Sequence, residues 1–219
     1  MLDTARDRVA AAGRRLAAAG LVVATAGNIS EREGDRVAIT PTGAVLAELR
    51  PEQVAVVDLD GGQLDGPLAP TSELELHLGV YGRYEAGAVV HTHSPLATTL
   101  SCVLDELPVI HYHLLMAGGP IRVAPYRTYG TPELAKVTLD ALQDRGAALM
   151  ANHGAITQAH NLDTAVELSL ILEWACSVYW HAQAIGNPRV LDAAQQREFF
   201  EAVARRGYGT KSAATAEEG

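Results

Sequence analysis

The stretch 88-AVVHTHSPLA-97 decides how the rest of this chain is read. Ala88 to Val90 is a short apolar run of the kind that forms a buried strand. It delivers His91 and His93 with one residue between them, and Ser94-Pro95 then breaks the pattern. On a strand, residues i and i+2 project to the same side, about 6.6 Å apart along the backbone, so two such imidazoles can converge on one metal ion. By itself the pair fits two hydrogen-bonded core or surface histidines equally well.

A second stretch, 148-ALMANHGAIT-157, tips the balance. It puts His153 at the end of another apolar strand, followed by a glycine that lets backbone pass close by. Three neutral nitrogens leave a Zn²⁺ an open position, as a catalytic zinc needs, whereas a structural zinc takes a fourth protein ligand, commonly a thiolate. Cys102 and Cys176 lie far from these histidines in sequence and read as small buried apolar residues. His111 and His113, in 109-VIHYHLL-115, are a rival pair with the same spacing. His77 falls near the Leu74, Leu78 and Tyr81 face of a helix and reads as a satisfied core histidine. His160 and His181 read as loop and helix-surface residues.

The 219 residues carry 48% hydrophobic and 20% charged side chains, a globular composition, and residues 1–210 are expected to form one domain with a loose tail over 211–219. The net charge of −9 and 17 scattered Lys and Arg give no basic stripe for a phosphate backbone, so nucleic acid is excluded as a partner. No apolar run reaches the roughly 20 residues of a membrane span. The charged N-terminus lacks a secretion signal's apolar core, and a soluble cytoplasmic protein is expected.

Residues 3–19 read as an amphipathic helix that stops at Gly20, and 21-LVVATAGNIS-30 as an apolar strand running into a polar loop. Further strands are expected at 35-DRVAIT-40, around the Gly-Gly turn of 53-QVAVVDLDGGQL-64, at 107-LPVIHYH-113 and at 121-IRVAPYRTYG-130. Ser72 with Glu75 fits a capping box for a helix over 72–84. Pro95 opens another helix, and Thr131-Pro132 a third that runs towards Gly146. Residues 161–186 form the longest helix, apolar on more than one face and so expected to be buried on several sides. A last helix runs from Asp192 to about Arg206. Strands and helices mix without regular βαβ alternation, which predicts a three-layer α/β/α sandwich around a central, mostly antiparallel sheet. That mixture argues against the all-β zinc lyases and oxygenases that share His-x-His spacing.

Seven motifs occur in order: ATAGNIS (24–30), ITPTG (39–43), APTSE (69–73), AVVHTHSP (88–95), IHYH (110–113), APYRTYGT (124–131) and MANHGAI (150–156). Together they resemble the class II aldolase family, most closely its fuculose-phosphate branch, over about residues 8–210. The resemblance implies Zn²⁺ on His91, His93 and His153, a fourfold homotetramer with sites at subunit contacts, and reversible cleavage of a deoxy-ketose 1-phosphate, such as L-fuculose 1-phosphate, to dihydroxyacetone phosphate and an aldehyde. Glu73, otherwise a first-turn acid favoured by the helix dipole, takes the family's acid/base position and that of an extra metal ligand before substrate arrives. Gly27, Asn28, Thr42, Gly43, Thr71 and Ser72 are small polar segments whose backbone N–H groups and hydroxyls can hold a dianion, and the resemblance places the phosphate there. Tyr112 and Tyr208 match catalytic aromatic positions, and Tyr129 one on the aldehyde side. Thr71 stands where the pattern commonly has serine, Tyr129 where it has phenylalanine and Lys211 where it has arginine. The family's epimerases carry aspartates that this chain lacks. Its methylthioribulose-1-phosphate dehydratases share the metal, the glutamate and the HTHS strand, and its decarboxylases are a further alternative. Adducin-like heads lack the metal, whereas all three histidines and Glu73 are present here.

Overall fold

The computed structural model describes residues 2–206. In chain order its elements are α1 (Asp3–Ala18), β1 (Asn28–Glu33), β2 (Arg36–Ile39), β3 (Ala55–Asp58), β4 (Gln63–Asp65), α2 (Leu74–Arg83), β5 (Ala88–Thr92), α3 (Pro95–Ser101), β6 (Glu106–Leu107), β7 (Ile121–Ala124), α4 (Pro132–Ala141), β8 (Ala147–Met150), β9 (Gly154–Ala159), α5 (Leu162–Ile185) and α6 (Ala193–Arg206). The strands form one sheet in the order β4-β3-β2-β1-β5-β9-β8-β7-β6. Every neighbouring pair is antiparallel except β7 with β8.

Period-2 alternation assigns the two faces. Val89 of β5 and Ala148 and Met150 of β8 pack with Leu76, Val80 and Tyr81 of α2 and Leu134 and Ala135 of α4. Ala88 and Val90 pack with α1 residues Val9 and Leu16 and with Leu162 and Val166 of α5. Ala147 and Leu149 meet Ala97 and Leu100 of α3 and Leu168 and Leu172 of α5. The sandwich therefore has α2 and α4 on one side and α1, α3 and α5 on the other, the expected α/β/α arrangement. Each buried Val or Leu contributes about 1.5–3 kcal/mol, and β5, buried along its whole length, sits at the centre of the sheet.

Several local expectations change. Residues 21–27 are not a strand: Ala24 and Gly27 take φ of 52° and 92°, and the strand starts at Asn28, opposite His91. The segment around IHYH gives only the short β6 and then a 3₁₀ helix over Tyr112–Ala117. The Ser72–Glu75 capping box does not form, because Glu73 itself stands at the N-cap of α2 and the Thr71 hydroxyl accepts the Glu73 N–H at 3.3 Å. Helix α4 ends at Ala141, short of Gly146. Helix α5 buries one face only, leaving Trp174, Trp180 and Ile185 exposed at 43%, 46% and 92%. No described helix is long and apolar enough to cross a membrane. The expected 211–219 tail, with Tyr208 and Lys211, lies outside the described residues.

Candidate metal centre and its cleft

Three backbone devices bring the histidines together. His91 is the fourth residue of β5, and His93 follows the strand end on the same side as Val89, the side covered by α2. His153 sits in the tight connection between β8 and β9. There Asn152 adopts φ of 56°, a left-handed conformation that asparagine tolerates. Gly154 is required next to it: a Cβ there would stand 2.3 Å from the Thr92 carbonyl oxygen. Gly27, with its positive φ, lies so close to β5 that a Cβ would come within 3.0 Å of the His91 carbonyl oxygen.

The rings of His91, His93 and His153 stand 4.8–4.9 Å apart, centroid to centroid. One nitrogen from each lies within 4.8 Å of the others. His91 donates its Nδ1–H to the Ala155 carbonyl at 2.9 Å, which leaves Nε2 of the neutral ring as a bare lone pair. That Nε2 faces His93 Nε2 at 3.0 Å. Glu73 closes the fourth side, with Oε2 3.1 Å from His91 Nε2 and Oε1 3.5 Å from His153 Nε2. Oε1 is buried and makes no hydrogen bond. Converging lone pairs beside an orphaned carboxylate oxygen are a donor set for a cation, so the residues fit a divalent metal.

The charges agree with this arrangement. Burial and the neighbouring imidazoles push His93 and His153 down to about 4, which keeps both rings neutral near pH 7. His91 is buried too, but the Glu73 carboxylate outweighs burial and raises its pKa. Burial alone would raise Glu73; where a proton rather than a cation sits on His91 Nε2, that charge and its hydrogen bond, with the bond from Asn28, hold Glu73 well below the carboxylate range instead.

A cleft of about 390 Å³ opens beside these groups. Gly27, Asn28, Thr42, Gly43, Thr71, Ser72, Glu73, Tyr129, His93 and His153 all line it, so the structure gathers nearly every expected site residue. Backbone bonds Thr42 N–H to Ala69 O and Thr71 N–H to Thr40 O zip the 40–43 and 69–73 segments together. Asn28 differs in detail from expectation, because its amide is engaged by Glu73 and His77. Tyr112 is not among the lining residues; it stacks on His111, is 48% exposed and approaches Phe199. The rival pair His111 and His113 meets Trp174 instead of a third ligand. Sequence reasoning missed Thr25, Tyr126, Arg127 and Asn152 in the lining. Only the left-handed tolerance of asparagine beside His153 offered a signal for any of them.

Fold and site together define a class: a mixed α/β chain with a three-histidine, one-carboxylate centre at one end of its sheet. Comparison with known proteins agrees. The description "Class II Aldolase and Adducin N-terminal domain" matches residues 7–180. A 5-deoxy-D-ribulose 1-phosphate aldolase of Bacillus thuringiensis serovar kurstaki is 38% identical over 87% of this chain and 91% of its own length. A 5-methylthioribulose-1-phosphate/5-deoxyribulose-1-phosphate aldolase of Rhodospirillum rubrum is 39% identical over 80% of each. The solved structure of an L-fuculose 1-phosphate aldolase superposes with a TM-score of 0.88 at 33% identity, covering 92% of this chain and 96% of that one. The chain belongs to the class II aldolase family. It is an enzyme of the lyase type that family contains.

Proposed function

We propose that this chain is a zinc-dependent aldolase that reversibly cleaves a deoxy-ketose 1-phosphate, of the 5-deoxyribulose or fuculose 1-phosphate kind, to dihydroxyacetone phosphate and an aldehyde. The observation that carries this reading is the convergence of His91, His93, His153 and Glu73 at the wall of a cleft rich in small neutral donors. The three histidines would hold the ion, and Glu73 would offer it a fourth donor. A divalent cation supplies a Lewis acid for the charge that develops on the ketose oxygens as the C3–C4 bond breaks.

The chain's own residues do the rest. Hydroxyls and N–H groups of Gly27, Asn28, Thr42, Gly43, Thr71 and Ser72 hold the phosphate without a lysine. Glu73 moves the proton at C3, where the bonding pair is left as an enediolate. Tyr129 borders the aldehyde half. Tyr112 and Tyr208 exchange the C4 hydroxyl proton, Tyr112 from a neighbouring subunit of a homotetramer, which accounts for its distance from its own chain's cleft. The aldolase names of the relatives favour cleavage over dehydration.

The test supplies 5-deoxyribulose, fuculose and methylthioribulose 1-phosphates separately to protein with zinc. Release of dihydroxyacetone phosphate supports the aldolase; loss of water with the carbon chain intact replaces it with a dehydratase.

A further inference from the structure

Behind Glu73 runs a chain of buried hydrogen bonds. Asn28 Nδ2 donates to Glu73 Oε2 at 2.9 Å. His77 Nε2 meets Asn28 Oδ1 at 2.5 Å, and His77 Nδ1 meets Ser30 Oγ at 2.7 Å. Ser30 Oγ meets the Tyr81 hydroxyl at 2.6 Å. His77 and Ser30 are fully buried, and Asn28, Glu73 and Tyr81 nearly so.

The chemistry of the ends fixes the direction of every bond. An ionised carboxylate only accepts, so the Asn28 amide must turn its NH₂ to Glu73 and its oxygen to His77. That oxygen requires a donor, which makes His77 the Nε2–H tautomer. Its bare Nδ1 then takes the Ser30 proton, and Ser30 takes the Tyr81 proton. Burial pushes His77 down to about 3, so the ring stays neutral throughout the working range. With the opposite tautomer, two acceptors would face each other in a dry interior, at a cost of about 1–3 kcal/mol.

From this geometry we propose that His77 is a positioning residue: it locks the Asn28 amide so that Glu73 Oε2 is a permanent acceptor and the catalytic proton is carried on Oε1. This rests on the acid/base reading of Glu73 given above. Oε1 is the buried oxygen without a hydrogen bond, 3.5 Å from Nε2 of His153, which lines the cleft. In cleavage Oε1 first takes a proton from solvent. That Oε1–H bond then breaks, its electron pair stays on the carboxylate, and the enediolate pair forms the new C3–H bond, while the C4 hydroxyl proton leaves to solvent through the tyrosines. In synthesis the same bond is made in reverse. Without His77 the Asn28 amide can rotate, turn its oxygen to the carboxylate and swing Oε1 off line.

The experiment reads the tautomer first, by ¹⁵N NMR of the full-length, histidine-labelled, zinc-loaded protein. His77 is expected as the neutral Nε2–H form at neutral pH; the Nδ1–H form or a cation overturns the proposal without touching the function assigned to Glu73. Kinetics of His77→Met and His77→Gln follow, since a Gln amide can still donate to Asn28. His77→Met is expected to lower kcat roughly ten-fold or more, with KM and bound zinc near wild type, and His77→Gln to recover most of the loss. An unchanged kcat in His77→Met, or a His77→Gln no better than His77→Met, refutes the proposal. If His77→Met does not fold, the tautomer decides alone. Retention of normal turnover in Glu73→Gln would instead defeat the acid/base reading.

Discussion

At the scale of single residues, the histidines and Glu73 separate binding from turnover. His153→Ala removes one of three converging nitrogens and should lower both bound metal and rate, read by elemental analysis beside the assay. Glu73→Gln keeps the size of the side chain and the Asn28 contact but removes the proposed base. It should retain metal while turnover falls by about 10²–10⁴. His77 carries a stability prediction as well. Its folded pKa is depressed from 6.5 to about 3, so between these values the unfolded chain binds the extra proton. Its contribution is therefore fully present above pH 6.5 and is lost as pH falls towards 3, by about 1.4 kcal/mol per unit. Thermal unfolding from pH 7.5 to 4.5 should show wild type losing more stability than His77→Gln; equal losses would contradict the assignment.

At the scale of elements, close approaches and borrowed caps position the site. Gly154→Ala sets a Cβ against the Thr92 carbonyl, a backbone atom with little room to yield. It should cost about 1–3 kcal/mol, lower Tm, and weaken metal binding because His153 moves with the turn. Much of this scale was legible in sequence. Pro95, Thr131-Pro132 and the long segment after Asn161 all start helices where expected, with the Thr131 and Asn161 side chains accepting from Leu134 and Thr164 N–H. What was not legible came from distant partners. The N-terminus of α3 is capped by Glu173 of α5, which accepts from Leu96 and Ala97 N–H at 2.9 and 2.8 Å. The apolar run over 21–23 yields to a turn because the ladder position opposite His91 goes to Asn28.

At the scale of the whole molecule, the exposed apolar side of α5 and the exposed aromatics near Tyr112 are the surfaces that the proposed homotetramer would cover. Trp174, Trp180, Met116 and Tyr112 are all more than 40% exposed. Light scattering should report four times the 23.2 kDa chain mass, and Trp180→Glu should reduce it. A wild-type monomer with full activity would exclude a role for Tyr112 from a neighbour.

By itself the sequence determined the layered α/β class and the three histidines of the candidate metal centre, because strand alternation, apolar runs and turn residues are local properties with fixed periods. Even the satisfied state of His77 could be anticipated from its helix face. The family resemblance named Glu73 as a partner of the histidines; only the tertiary structure decided its distances to them, that Asn28 serves it, and that Tyr112 lies away from its own cleft. Those relations join β1, α2, β5 and the β8–β9 turn. Which side chains share a hydrogen bond across such separations depends on strand order and register, and no local pattern encodes either.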